Sequence, residues 1–345
     1  MAIIDKPSDY FNTVLYTGNA TGRTITGVGF QPDWVWGKVR SEAQDHVLVD
    51  SIRGATKQLY SSDSAAEQTE AQGLTGFDSD GFTLGTHAYF NGNSKTYVAW
   101  NWKAGTSFTN DQSATGIGTI DSTGSVSTDA GFSIVTFTNS GSGVDTIAHG
   151  LGVVPTVVIA KTRSHANGWF MYHKDIGNTK FLRLETTGAA TANTMWNDTT
   201  PTSTVFSLNS GNIGTSRNIV AYSFVEKKGY SKFGSYIANA NVDGAFVYTG
   251  FKPAFLMIKN TSQETDWIMY DNKRDGYEPQ NKEFRANTSA AERNAEDNNV
   301  QFCANGFKTR NAGSKSNADS GDTLIYMSFA ENPLVTSTGV PATAR

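Results

Sequence analysis

Short apolar runs punctuated by glycine and small polar residues set the pattern of this chain, and one arrangement of them occurs three times. Gly29-Phe30-Gln31-Pro32-Asp33-Trp34-Val35-Trp36-Gly37-Lys38 returns as Gly152-Val153-Val154-Pro155-Thr156-Val157-Val158-Ile159-Ala160-Lys161, and again as Gly250-Phe251-Lys252-Pro253-Ala254-Phe255-Leu256-Met257-Ile258-Lys259. Each copy reads Gly-x-x-Pro, an apolar stretch, then Lys. β-Branched and aromatic residues favour extended backbone, so the stretch predicts a strand, opened by Pro where its missing N–H costs least. The Gly ahead of it is expected to supply a backbone angle that other residues avoid. At one fixed distance past each Lys a second apolar run closes on a polar residue: Val47 to Asp50, Trp169 to His173 and Trp267 to Asp271. Three copies keeping both spacings predict an internal triplication.

Other segments echo the same period. Tyr97 to Trp102, Ile219 to Phe224 and Leu324 to Phe329 carry aromatics at alternate positions, which puts Trp100 with Trp102, and Tyr222 with Phe224, on one core-facing side. Phe77-Asp78-Ser79-Asp80-Gly81-Phe82 and Asn305-Gly306-Phe307 predict tight hairpins. Ser64-Ala65-Ala66-Glu67 and Ser289-Ala290-Ala291-Glu292 have the spacing of a capping box and predict short helices, with a weaker counterpart at Gly188-Ala189-Ala190-Thr191.

The pattern therefore predicts an all-β protein: three tandem β-sandwich units of jelly-roll-like type, with short helices in the loops. The expected bounds are 1–105 for the first unit, 106–130 for a Gly/Ser/Thr-rich linker, 131–229 and 230–333 for the second and third units, and 334–345 for a C-terminal tail. A unit of roughly a hundred residues is too long for a solenoid repeat of about 20 to 50.

Charge changes the picture by exclusion. The 28 basic and 32 acidic residues form no block of one sign, which argues against a nucleic-acid or membrane-surface partner. An apolar stretch of membrane-spanning length is missing, so membrane insertion is not expected, and the N-terminus does not read as a Sec-type leader. One cysteine, Cys303, excludes an intrachain disulfide and a cysteine zinc site, and reads as a core residue.

Candidate chemistry is sparse. Gly27-x-Gly29-x-x-Pro32 and Gly150-x-Gly152-x-x-Pro155 imitate a dinucleotide fingerprint, but Pro replaces the third Gly and a strand follows where a helix is needed. Asp78-Ser79-Asp80-Gly81 hints at a calcium loop, but Tyr89 stands where an EF-hand needs Glu, and a turn is the better reading. His46, His87, His149, His165 and His173 show no zinc-binding spacing, and neither a nucleophile elbow nor a catalytic triad can be picked out. Neither a cofactor nor an enzymatic activity is expected. Lys38, Lys161 and Lys259 read as solvated strand ends, because Lys is seldom buried. Gly29, Pro32, Gly152, Pro155, Gly250 and Pro253 complete the structural signature, and the strand aromatics read as core rather than as a sugar-stacking surface. A surface specific to function is expected where the copies differ, at His165 to Trp169 and Glu278 to Arg285.

Nearly the whole chain resembles a family of repeat-containing virion structural proteins of tailed bacteriophages, especially those of marine and cyanobacterial hosts. The resemblance is carried by Val14-Leu15-Tyr16-Thr17-Gly18-Asn19, Thr26-Gly27-Val28-Gly29-Phe30-Gln31-Pro32-Asp33, Phe77 to Phe82, and Tyr97-Val98-Ala99-Trp100-Asn101-Trp102-Lys103-Ala104-Gly105. It continues through Glu226-Lys227-Lys228-Gly229-Tyr230-Ser231-Lys232-Phe233-Gly234-Ser235 and the ending Gly339-Val340-Pro341-Ala342-Thr343-Ala344-Arg345. It implies a non-enzymatic tail-fibre or appendage component in the virion, assembled in the host cytoplasm beside other virion proteins. A homotrimer is the expected form and a host-surface glycan a possible ligand. A capsid-decorating head fibre and a carbohydrate-binding module are the alternatives it leaves.

Overall fold

The computed structural model describes residues 3–312, 315–317 and 319–341. Met1, Ala2 and the last four positions of the expected tail, with the corresponding part of the ending Gly339 to Arg345, lie outside the described residues. The protein is all-β, built from antiparallel sheets with short helical turns between them.

Three large sheets repeat one strand order. In the first, Phe11–Thr17 pairs with Thr96–Trp102, then Trp34–Val39, Val47–Asp50, Lys57–Tyr60 and Gln68–Thr69 follow. The second runs Phe132–Thr138, Asn218–Phe224, Val157–Thr162, Trp169–His173, Lys180–Arg183 and Thr191–Ala192, and the third runs Ser231–Ile237, Thr323–Pro333, Phe251–Asn260, Ile268–Asp271, Lys282–Arg285 and Arg293–Asn294. The signature strand sits at the middle of each sheet. Registers match as well: Trp34 faces Trp102, Val157 faces Phe224 and Phe255 faces Phe329.

A smaller sheet covers one face of each large one. Arg23–Thr26, Gly81–Leu84 and Leu74–Asp78 serve the first, Val144–Ala148 with Val205–Asn209 the second, and Phe246–Tyr248, Gly306–Thr309 and Val300–Cys303 the third. Alternation along a strand sends neighbours to opposite faces. Val35 therefore packs with Ile25 and Phe82 under the small sheet, while Trp34 and Trp36 point the other way. Corresponding private cores form around Val158 and Phe206, and around Leu256 and Phe307.

The opposite faces meet one another. A single cluster gathers Trp34, Trp100 and Trp102 from the first sheet, Phe132, Tyr222 and Phe224 from the second, and Phe255, Met327 and Phe329 from the third. Its rings touch across the units: Trp34 stacks on Tyr222 at 4.5 Å, Phe11 on Phe329 at 5.3 Å, and Phe224 meets Phe329 edge-on at 6.0 Å. Such pairs add about 0.5–1.5 kcal/mol beyond their buried area. Each unit thus buries a core of its own beneath its small sheet, and the three units also share one. All six residues of the Trp34–Val39 and Val157–Thr162 strands are buried, since both faces of each sheet are covered.

Three expectations are corrected. The 106–130 stretch is not a loose linker: Thr106–Asn110 and Ser122–Ser127 pair with each other and extend the second sheet through Phe132–Thr138, with the turn Gln112–Thr115 between them capped by Asp111. Small residues such as Gly124 allow this, because a Cβ there would fall 2.3 Å from the Ile134 carbonyl oxygen. Ser64 to Glu67 and Ser289 to Glu292 form neither helix nor strand, their backbone groups being claimed by neighbouring units. Cys303 is half-buried rather than a core residue. The two hairpins at Phe77 to Phe82 and Asn305 to Phe307 are present.

Candidate functional site

Gly29, Gly152 and Gly250 adopt φ of +88°, +71° and +82°, the left-handed region where a Cβ is strained. The first of these loops is pinned from outside, since Asp80 accepts from the backbone N–H groups of Gly27 and Gly29 at 3.0 and 2.6 Å. Those bonds hold its carboxyl below the usual range, and Asp78 accepts from the Thr83 hydroxyl at 2.7 Å. The aspartates of the calcium-like loop are thereby committed to holding the turn. Pro32 and Pro155 precede their strands, whereas Pro253 lies inside Phe251–Asn260, at the bulge where the register with Thr323–Pro333 shifts.

The signature lysines are not solvated strand ends: Lys38, Lys161 and Lys259 are fully buried. Each ammonium is satisfied by backbone carbonyls, and part of each set comes from another unit. Lys161 donates to the Ser64, Ala65 and Asn167 carbonyls at 3.0, 2.8 and 2.8 Å. Lys259 donates to those of Thr187 and Thr265, both at 2.8 Å, and Lys38 to those of Val39 at 2.9 Å and Ser289 at 3.3 Å. The second unit thus grips the first, the third grips the second and the first grips the third, which closes a ring. Burial pulls all three lysines down to about 8.

Backbone bonds follow the same cycle. Glu67 N–H donates to the Arg163 carbonyl, Ala190 N–H to that of Thr261 and Glu292 N–H to that of Arg40. The equivalents are therefore Glu67, Ala190 and Glu292, so the segment of the second unit that corresponds to Ser64 to Glu67 is Thr187 to Ala190, one position earlier than its sequence suggests.

Two of the three seams carry a charged network on this frame. Between the first and second units, Asp50 pairs with Arg53, Arg53 reaches Glu67 at 3.1 Å, and Arg163 clamps Glu67 with two bonds of 2.9 and 3.0 Å. The Tyr222 hydroxyl donates to Asp50 at 2.7 Å. Burial pushes the Glu67 carboxyl up, but Arg163 and Arg53 outweigh it and hold the group below its usual range. Between the third and first units, Asp271 pairs with Arg274, Arg40 clamps Glu292 at 2.8 and 3.0 Å, and Trp100 Nε1 donates to Asp271 at 3.0 Å. The polar strand ends Asp50 and Asp271 are therefore buried anchors of the seams.

At the remaining seam every member differs. His173 stands for the aspartate, Ile176 for Arg53 and Arg274, Ala190 for the glutamate and Thr261 for the clamping arginine. Met327 occupies the register position held by Tyr222 and Trp100. Burial holds His173 down to about 4, so its imidazole is neutral near pH 7, and Met327 and Ile176 pack into or against the shared core. An apolar seam has replaced a charged one as a set.

Of the surfaces expected from sequence divergence, His165 is exposed, but Trp169 is fully buried at a seam, its Nε1 donating to the Tyr60 carbonyl at 2.8 Å. A groove of about 740 Å³ opens beside the hairpin of Thr106–Asn110 and Ser122–Ser127, between Gln112, Asp121, Thr138 and Arg163. Its polar groups are largely engaged with one another: Asp121 accepts from Gln112 N–H at 2.8 Å, Thr138 donates to Asn218 at 2.9 Å and Arg163 is held by Glu67. Among the described residues no cluster of three or more His, Cys, Asp or Glu is arranged to hold a metal ion, and no helix is long and apolar enough to cross a membrane.

Comparison with known proteins adds a family and nothing about its chemistry. The family profile described as a domain of unknown function, DUF7483, matches residues 6–333, and the chain belongs to that family. No curated protein and no solved structure matches the chain.

Proposed function

Taking a family member matched over residues 6–333 as one functional body, we propose that it is a non-enzymatic structural protein of a tailed-phage particle, a tail-fibre or appendage component that contacts the host surface. The observation that carries this reading is the closed ring of Lys161, Lys259 and Lys38, each anchored on the preceding unit. Such a ring gives one chain the threefold arrangement that fibres and icosahedral lattices use at their axes. A homotrimer is not needed to build a threefold body here, and we take a closed monomer, in place of the homotrimer expected from the resemblance, as the form that reaches the particle.

The buried cations Lys38, Lys161, Lys259, Arg53 and Arg274 support a structural role, since the carbonyls and carboxylates that hold them are elements of the seams. Cryo-electron microscopy of the purified particle tests the assignment. Density for this ring on the tail or its appendages is expected. Density confined to the icosahedral shell would make it a capsid decoration instead, and shortening of host polysaccharide by the purified protein would overturn the non-enzymatic reading.

A further inference from the structure

We infer that the third unit carries a binding pocket for a single neutral sugar ring, enclosed by Lys252, Asn272, Tyr277, Glu278 and Gln280. The cavity measures about 220 Å³. That is below the roughly 300–1,000 Å³ of sites for drug-sized ligands and equals the space of about seven waters. Two of its lining residues, Glu278 and Gln280, belong to the divergent segment Glu278 to Arg285, and the others come from the signature copy and the loop after Asp271.

The pocket is built and not a surface dimple. Asp275 accepts from the N–H groups of Asn281 and Lys282, which fixes the loop from Asp275 to Lys282, and Gly276 turns it with φ of +72°. Glu278 is held at both oxygens, by Phe302 N–H at 2.8 Å and by Gln280 Nε2 at 3.0 Å. Burial raises its carboxyl above the usual range. Lys252 is buried in an ion pair with Glu331 at 2.8 Å.

Two acceptors are left over. Gln280 is 2% exposed and spends its Nε2 on Glu278 and the Tyr277 carbonyl, while its Oε1 has no partner among the described residues. Asn272 Oδ1 is buried without one as well. A buried acceptor left unpaired costs about 1–3 kcal/mol, which a ligand donating to it recovers. At the rim, Tyr277 is 70% exposed, an aromatic face with nothing packed over it.

The chemistry selects among ligands. Each sugar hydroxyl donates and accepts at once, so it can give its proton to an amide oxygen and take one from the Lys252 ammonium. The apolar C–H face of a ring suits the Tyr277 side chain. A metal cation would find oxygen ligands but would face the Lys252 charge. An anionic sugar would meet the Glu278 carboxyl, and the Lys252 charge that could offset it is already paired with Glu331. A neutral hexose or N-acetylhexosamine satisfies all the groups. The inference does not depend on where the protein sits in a particle, and purified chain suffices to test it.

The test is a titration of the full chain with glucose, galactose, N-acetylglucosamine and rhamnose, followed by saturation-transfer NMR and calorimetry, and repeated with Tyr277→Ala and Gln280→Met. Saturable binding of at least one sugar is expected, weakened about tenfold by Tyr277→Ala at an unchanged melting temperature. Because Tyr277 is exposed, that variant keeps the result readable even if Gln280→Met disturbs folding. No saturable binding of any of the four overturns the inference, as does binding that Tyr277→Ala leaves intact. So does a melting temperature raised by calcium ions and not by sugar, which would make the pocket a cation site.

Discussion

A lysine with no carboxylate beside it is an unusual thing to bury, and the three signature lysines show how carbonyl dipoles can replace a counter-ion. Lys161 has carbonyls from Ser64, Ala65, Thr162 and Asn167 within 3.0 Å, whereas Lys38 has those of Val39 and Ser289, the latter at 3.3 Å. Lys161→Met keeps the length and removes the donor, and it is expected to destabilise by about 2–3 kcal/mol, more than Lys38→Met, in urea unfolding. Linkage gives a second readout. These side chains titrate at about 8 in the fold and near 10.4 when unfolded. Between those values the unfolded chain binds more protons, so stability rises with pH. Tyr222 and Tyr230, raised well above 10 by burial, act in the opposite sense once the unfolded tyrosines ionise near pH 10. Melting temperature is thus expected to climb from pH 8 towards pH 10 and then fall, and a flat profile over the first interval would contradict the buried ammonium. The lysines' repetition was legible in the sequence and their burial was not. Carbonyls that hold Lys38 and Lys161 lie 251 and 97 positions away in another unit, beyond the reach of any local pattern.

Between elements, the informative contrast is that of the charged seams with the apolar one. Removing one partner of a buried network costs more than the network as a whole contributes, because the remaining charge stays buried. Arg53 is wholly inaccessible and Arg163 partly exposed, with side-chain exposures of 0% and 23%. Glu67→Ala, which leaves the buried Arg53 guanidinium with Asp50 as its one carboxylate beside the Leu48 and Lys57 carbonyls, is therefore expected to cost about 3 kcal/mol and more than Arg163→Ala. A double-mutant cycle between Glu67 and Arg163 should give a coupling of about 1.5–3 kcal/mol, while Thr261→Ala at the apolar seam costs under about 1 kcal/mol. Equal costs at the two seams would show that the network carries no stability of its own. Sequence reading found Asp50, His173 and Asp271 in register but took the position for a strand end. It expected helices at Ser64 and Ser289 because a capping-box pattern describes only what a segment can do alone. Here the segment's free N–H and C=O groups go to Arg163 and Lys161, or to Arg40 and Lys38, of a neighbouring unit.

At the scale of the molecule, a core shared by three sheets makes the units depend on one another. Alternation correctly placed Trp100 and Trp102 on a buried face, yet it could not say that the other side of that core belongs to Phe255 and Phe329. A pattern of period two marks a face as buried without naming what buries it. The consequence is cooperative. Trp102 is 2% exposed and touches rings of both the first and third units, so Trp102→Ala is expected to cost about 3–5 kcal/mol and to lower one calorimetric transition without splitting it. Light scattering should return the mass of a single chain, 37.2 kDa. The sharper test is excision of residues 1–105. Alone, that unit would expose Trp34, Trp36, Trp100 and Trp102 to water and leave Arg40 and Lys38 without Glu292 and the Ser289 carbonyl. It is expected to be unfolded or aggregated by circular dichroism and sedimentation, whereas independent sandwich domains would each survive excision. A folded, monomeric fragment would show that the private core beneath its small sheet is sufficient, and that the ring is an assembly of finished domains and not a single folding unit.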